Sequence, residues 1–299
     1  MSSVFISHSS ASAAAAARIE QAFTAAGHDA WLDNSDLGIG VQLRPELYEA
    51  IRSSKAMVLV WSDPASRSRW VAAEILMAFH MDRFIVPCVT DDARLPELFG
   101  GPVYLDMRTA TDDGLTRLVR AAEHAPGSAN PLPPRVVSPS PELMRECDRL
   151  VQGQLRVTDP LDQRNVAAAA RAQRALDPKM ARAEERWPYE LDIILLAGYH
   201  RKNAYMVQHW DEIQAGRPPR DPVLIEAERR FFDAALVNPN DPSAINGLAN
   251  VLIFELELDI AAFFNDRALV LSRQAGVGYE AAEQDRAMIA WMRQQAGNV

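Results

Sequence analysis

Two apolar runs constrain the fold most: Ala56 to Trp61 (AMVLVW) and Phe84 to Val89 (FIVPCV). Each is too short for a helix that must bury a face, and neither alternates with polar residues. A continuous run of this length reads as a strand covered on both sides, the signature of a parallel sheet between helices. The surrounding sequence supplies those helices. Ser12 to Ala26 carries Ile19, Ala22 and Phe23 on one face and meets Gly27 as a stop, and Glu46 to Arg52, Arg69 to His80 and Asp112 to Glu123 are helical too. Val4 to Ile6 and His28 to Leu32 are further short strands, and Val103 to Leu105 a last one. Strand–helix alternation at this spacing predicts an α/β domain with an open parallel sheet.

The alternation stops at APGSANPLPPRVVSPSP, residues 125 to 141, which holds six prolines. Proline fixes its backbone angle and lacks a donor, so an extended linker is expected. The predicted layout is a first domain over 1–126, a linker over 127–140 and a second domain over 141–299. Beyond the linker, strand signals vanish. Ser140-Pro141-Glu142 is a helix start, and Asp159-Pro160, Asp177-Pro178, Asp221-Pro222 and Asp241-Pro242 each read as another. An all-α second domain is predicted.

Part of it repeats. Ala227, Phe231, Ala234 and Pro239 resemble the second helix of a tetratricopeptide repeat. The next unit begins at Pro242, with Ile245, Leu248, Ala249 and Leu252 on its first helix and Ala261 and Ala268 on its second. Asn265 and Arg273 stand where a large apolar residue and a proline are expected, so an irregular helical bundle stays open as the alternative.

Composition narrows function. A net charge of -9, split -5 over 1–126 and -4 over the rest, argues against nucleic acid or an anionic membrane as the main partner. No stretch reaches the roughly 18 apolar residues of a membrane span. The opening MSSVFISHSS lacks the basic and long apolar regions of a secretory leader, and Cys88 and Cys147 are far apart, so a reducing, cytoplasmic setting is expected. The six histidines are scattered, and no metal site is predicted.

Within residues 1–126, eight pieces fall in register: Phe5-Ile6-Ser7-His8-Ser9, Trp31-Leu32-Asp33, Asp36 to Gly40, Leu43 to Ser54, Val58 to Ser62, Trp70-x-x-x-Glu74, Ile85-Val86-Pro87 and Leu95-Pro96. Together they resemble a TIR (Toll/interleukin-1 receptor) domain of the bacterial branch. The resemblance implies a flavodoxin-like parallel sheet of five strands. It also implies one of two activities: cleavage of NAD+ at the nicotinamide–ribose bond, or a non-enzymatic scaffold that works by protein–protein contact. In the enzymatic branch the glutamate four residues after tryptophan is catalytic, which here is Glu74. NAD+ would be a substrate, with no cofactor. Self-association through the loop with Leu37 and Gly40 would complete the site between neighbours and give an oligomer or filament. The helical domain would answer an unidentified trigger, in a defence role against phage.

The chemistry of one carboxylate can be argued directly. Cleaving an N-glycoside builds oxocarbenium character on the ribose. Ordinary glycosidases need a second carboxyl to protonate the leaving oxygen. Nicotinamide leaves a pyridinium cation as a neutral molecule, so one acid, in an apolar setting that strengthens its field, is enough. Ligands of open parallel sheets bind at the carboxyl ends of the strands. That topology groups Ser7, His8 and Ser9 after the first strand with Trp31 and Asp33 after the second, and Trp31 and Trp70 offer flat faces. On a helical wheel Glu74 shares the face of Trp70, so both are expected to line the cleft.

Overall fold

A computed structural model describes residues 3–32, 45–99, 103–125, 139–276 and 278–297. The chain divides into two compact units, Met1–Pro134 and Arg135–Val299.

The first unit is built on strands β1 (Ser3–His8), β2 (Asp29–Leu32), β3 (Ala56–Trp61), β4 (Phe84–Val89) and β5 (Leu105–Asp106). All four pairings are parallel, in the order β2-β1-β3-β4-β5. Helices α1 (Ala13–Ala25), α2 (Pro45–Ser53), α3 (Asp63–Ser66), α4 (Arg69–His80) and α5 (Asp112–Glu123) connect them. The predicted last strand shifts: Val103 lies outside it and is 90% exposed, and pairing begins at Leu105, level with Cys88.

Strand pleating sorts the core. Val4 and Ile6 of β1, Val58 and Val60 of β3 and Val86 and Cys88 of β4 pack with Ile19 and Phe23 of α1 and Leu118 and Val119 of α5. The opposite face presents Phe5 and Ser7 toward the side of α2 and α4. Gly27, at φ +82°, ends α1 in a left-handed conformation that glycine adopts without a Cβ penalty.

The second unit consists of α6 (Pro141–Asp162), α7 (Val166–Arg186), α8 (Leu191–Gln208), α9 (Trp210–Gln214), α10 (Pro222–Val237), α11 (Pro242–Phe254), α12 (Leu258–Gln274) and α13 (Glu280–Gly297). Two of the four expected Asp-Pro starts hold. Asp221 accepts from the Val223 N–H at 2.7 Å, and Asp241 from the Ser243 N–H at 2.8 Å, each just before a proline that needs no donor. The other two are corrected, since Pro160 and Pro178 lie inside α6 and α7. The reason is tertiary. Leu150, Val157 and Leu161 of α6 and Leu176, Met180 and Ala183 of α7 form one continuous buried stripe, and that burial outweighs the missing hydrogen bond. Helix α7 starts instead at Asn165, whose side chain accepts from the Ala168 N–H at 3.1 Å.

Helix α8 packs on α10, and α11 on α12. Ala227, Phe231, Ala234, Ile245, Leu248, Ala249, Leu252, Ala261 and Ala268 are all buried. Phe231 is the wedge between hairpins. Its ring lies against Gly198 of α8, where a Cβ would come within 2.9 Å, and against Gly247 of α11, where a Cβ would come closer still. No helix among the described residues is long and apolar enough to cross a membrane.

Candidate functional site

Helix α4 starts at Ser68, whose hydroxyl accepts from the Val71 N–H at 3.4 Å. Every residue from Val71 to His80 is buried. The helix therefore has no solvated face beyond its first turn, and Glu74 is only 1% exposed. The expected cleft face is corrected in this respect: Trp70, one turn earlier, is half-buried, but the Glu74 carboxylate is enclosed. The surrounding run of Ala72, Ala73, Ile75, Leu76 and Met77 is apolar on every side, so the helix packs between the sheet and its neighbours all round.

Burying a carboxylate is costly unless it is hydrogen-bonded. Here the Ser7 hydroxyl donates to Glu74 Oε2 at 2.5 Å. Ser7 is itself fully buried, at the carboxyl end of β1 beside Leu59 of β3. The local fold sets this contact. Strand alternation turns Phe5 and Ser7 to the α4 side and Ile6 and His8 to the other, so of the adjacent pair Ser7-His8 only Ser7 reaches Glu74. His8, half-buried, extends β1 level with Val60.

Ser9 belongs to a separate group of hydroxyls. Its Oγ lies 3.5 Å from Ser12 Oγ and 3.4 Å from Ser62 Oγ, and the Ser12 hydroxyl donates to Ser62 at 3.1 Å. Ser62 also caps α3, accepting from the Ala65 N–H at 3.1 Å. This group bridges the ends of β1 and β3, where the strand order reverses, which is the ligand crevice of open α/β sheets. Sequence reasoning missed Ser12 and Ser62 as site residues. The signal for Ser62 was available: Ser-Asp-Pro straight after an apolar strand is a helix cap, and a cap at a strand's carboxyl end faces the crevice.

The two tryptophans have partners of their own. Trp31, 37% exposed, stacks on Phe5 with ring centroids 5.1 Å apart and 16° between planes, in register across β1 and β2. The Arg69 guanidinium lies over the Trp70 ring at 4.4 Å. Asp33, Leu37 and Gly40 lie outside the described residues. The structure therefore joins Ser7 to Glu74 and places Ser9 with Ser12 and Ser62, while His8, Trp31 and Trp70 make neighbouring contacts at the same end of the sheet.

A five-stranded parallel sheet in flavodoxin-like order is the architecture the sequence motifs anticipate, while the tie between Glu74 of α4 and Ser7 of β1 is added by the structure. A comparison with curated proteins returns no match. A family model described as "TIR domain" matches residues 4–119, which span the sheet from Val4 of β1 into α5. The chain carries a TIR domain, followed by a unit made of helices.

Proposed function

We propose that this protein cleaves NAD+ at the nicotinamide–ribose bond, releasing nicotinamide and leaving ADP-ribose or its cyclic form. The observation that carries the reading is the Glu74 carboxylate, held by the Ser7 hydroxyl at 2.5 Å in the apolar stretch Val71 to Phe79 of a TIR-domain helix. The C–N bond breaks with its electron pair going to the pyridinium nitrogen, which becomes neutral. Positive charge moves to the ribose C1″ and its ring oxygen. A carboxylate in a low-dielectric setting stabilises that charge and orients the ribose hydroxyls, and its prior hydrogen bond fixes its direction before the reaction. Water then adds at C1″ and loses a proton, giving ADP-ribose; attack by a ring nitrogen of the same molecule's adenine gives a cyclic product. The hydroxyls of Ser9, Ser12 and Ser62 supply polar groups for the ribose and phosphates.

Burial adds a condition. A carboxylate 1% exposed must be uncovered before it touches substrate. That supports a latent enzyme, switched on by self-association of the TIR domains when the helical unit meets its trigger. The paired packing of α8 with α10 and of α11 with α12 supports a tetratricopeptide-like reading of that unit. A cytoplasmic enzyme that consumes NAD+ on demand suits defence against phage.

The test is nicotinamide release from NAD+ by purified protein, with and without a crowding agent. Glu74→Gln keeps the shape and removes the charge, and should lower turnover on the order of 10²–10³-fold. Full activity in that variant ends the catalytic assignment. One observation favours a second reading: complete enclosure of Glu74 equally suits an internal tie between α4 and β1 in a non-enzymatic scaffold. In that case no condition releases nicotinamide.

A further inference from the structure

Helices α6 and α7 are antiparallel, and an ion pair between Glu142 and Arg186 at 2.7 Å sets the start of one level with the end of the other. A cavity of about 690 Å³ opens there. Four arginines line it, Arg145 and Arg149 from α6 and Arg182 and Arg186 from α7, with Trp187 and the carboxylates of Glu142, Glu146 and Glu185. In a chain of net charge -9 the lining keeps an excess of one positive charge. Two of the four are committed: Arg149 pairs with Glu146 of its own helix at 2.7 Å, and Arg186 bridges to Glu142 and lies over the Trp187 ring at 4.7 Å. Arg145 and Arg182 have no ion pair within 4 Å among the described residues. The third carboxylate, Glu185, has none either.

With Glu142 and Glu146 held by Arg186 and Arg149, the cavity keeps two arginines without an ion pair against one such carboxylate, and an anion between Arg145 and Arg182 would balance them. The guanidinium fork matches phosphate oxygens two at a time. The volume is that of a small-molecule site rather than a flat surface. Trp187 is half-buried, packed against the α6–α7–α8 core, and carries the Arg186 guanidinium over its ring, so the flat surface offered to a planar base is that Arg186–Trp187 stack.

We propose that this cavity binds a nucleoside polyphosphate, with its phosphates on Arg145 and Arg182 and its base against the Arg186–Trp187 stack. The site lies wholly within the helical unit and does not depend on NAD+ cleavage by the TIR domain.

Calorimetric titration of the full chain with ADP tests this, because ADP has no nicotinamide bond to cleave. Binding is expected, weakening steeply as salt is raised from 50 to 300 mM, a range over which about 10-fold is lost through screening. The double variant Arg145→Ala/Arg182→Ala should weaken ADP binding at least 10-fold without changing the melting temperature of the protein. Trp187→Leu should weaken ADP while leaving inorganic pyrophosphate unchanged. The proposal is overturned if ADP gives no heat at 1 mM, if the double variant binds ADP as the parent does (which would place the site elsewhere, the TIR crevice included), or if pyrophosphate binds as tightly as ADP.

Discussion

Glu74 and Ser7 share one hydrogen bond, and its two ends answer to different measurements. Removing the hydroxyl by Ser7→Ala leaves a carboxylate oxygen enclosed with one donor fewer. Hydrogen bonds to charged groups contribute about 1.5–3 kcal/mol, so the TIR unit should lose stability on that order in a denaturant titration. The same change frees the carboxylate to rotate, and nicotinamide release should fall roughly 10-fold, since a misdirected charge stabilises the ribose cation poorly. Ser9→Ala is the contrast. Its contacts at 3.4 and 3.5 Å are long and shared with Ser12, which keeps its own bond to Ser62. Its effect on stability should stay within about 0.5 kcal/mol. An equal loss in both variants would remove the special place given to Ser7. A glutamate between Ala73 and Ile75 could be seen in the sequence, but its burial could not. The helical wheel supplies one angle per residue, and which angles are covered depends on how many neighbours crowd the helix. Helix α4 is covered on all sides by contributions from β1, β4, α2 and α3.

At the level of elements, the apolar runs named β3 and β4 to the residue, because a strand covered on both faces has no polar position at which to end. The Asp-Pro pairs were ambiguous for the opposite reason. Proline suits a first turn, yet a long enough buried stripe carries a helix through it, as in α6 and α7. The repeat pattern around Phe231 was legible because small residues at fixed spacings are needed wherever helices approach closely. It has a direct test. Gly247→Ala places a methyl group into the Phe231 ring, so the helical unit should lose about 1–3 kcal/mol by overpacking. Phe231→Leu in the same molecule makes room and should recover part of that loss, although it costs some stability alone. If the pair is as unstable as the sum of its single variants, the wedge does not act as described. The α7–α8 contact carries a pH dependence. His200 lies 3.2 Å from Asp177 and close to the Gln173 amide, and burial holds its pKa below the usual 6.5 despite the carboxylate. Protons then bind the unfolded chain more readily than the folded one. The contribution of neutral His200 to stability is complete above pH 6.5 and is lost as pH falls through its lower folded value. Melting of the helical unit should drop more between pH 7.5 and 5 in the parent than in His200→Gln. Parallel slopes would place the sensitivity elsewhere.

For the whole molecule, the decisive quantity is how activity scales with concentration. Each unit closes its own core, the TIR sheet around Ile6, Val58 and Val86 and the helical unit around stripes such as Leu150, Leu176 and Ile193. Under the proposed function, the enclosed Glu74 would keep an isolated TIR unit quiet, and the segment bearing Leu37 and Gly40 would complete a neighbour's site rather than its own. Turnover per molecule should then rise with concentration, by more than about 10-fold over a 100-fold range, since the proposed active species is an assembly whose population would follow mass action. Glu74→Gln subunits give the sharper form of the experiment. They lack the carboxylate but keep the association loop, so adding them in excess to dilute parent protein should raise nicotinamide release per parent molecule. If the added subunits leave the rate unchanged while the parent alone still cleaves NAD+, catalysis stands and activation by assembly falls. If they lower it, mixed assemblies form but need more than one intact glutamate, and the unit of catalysis is larger than a single site.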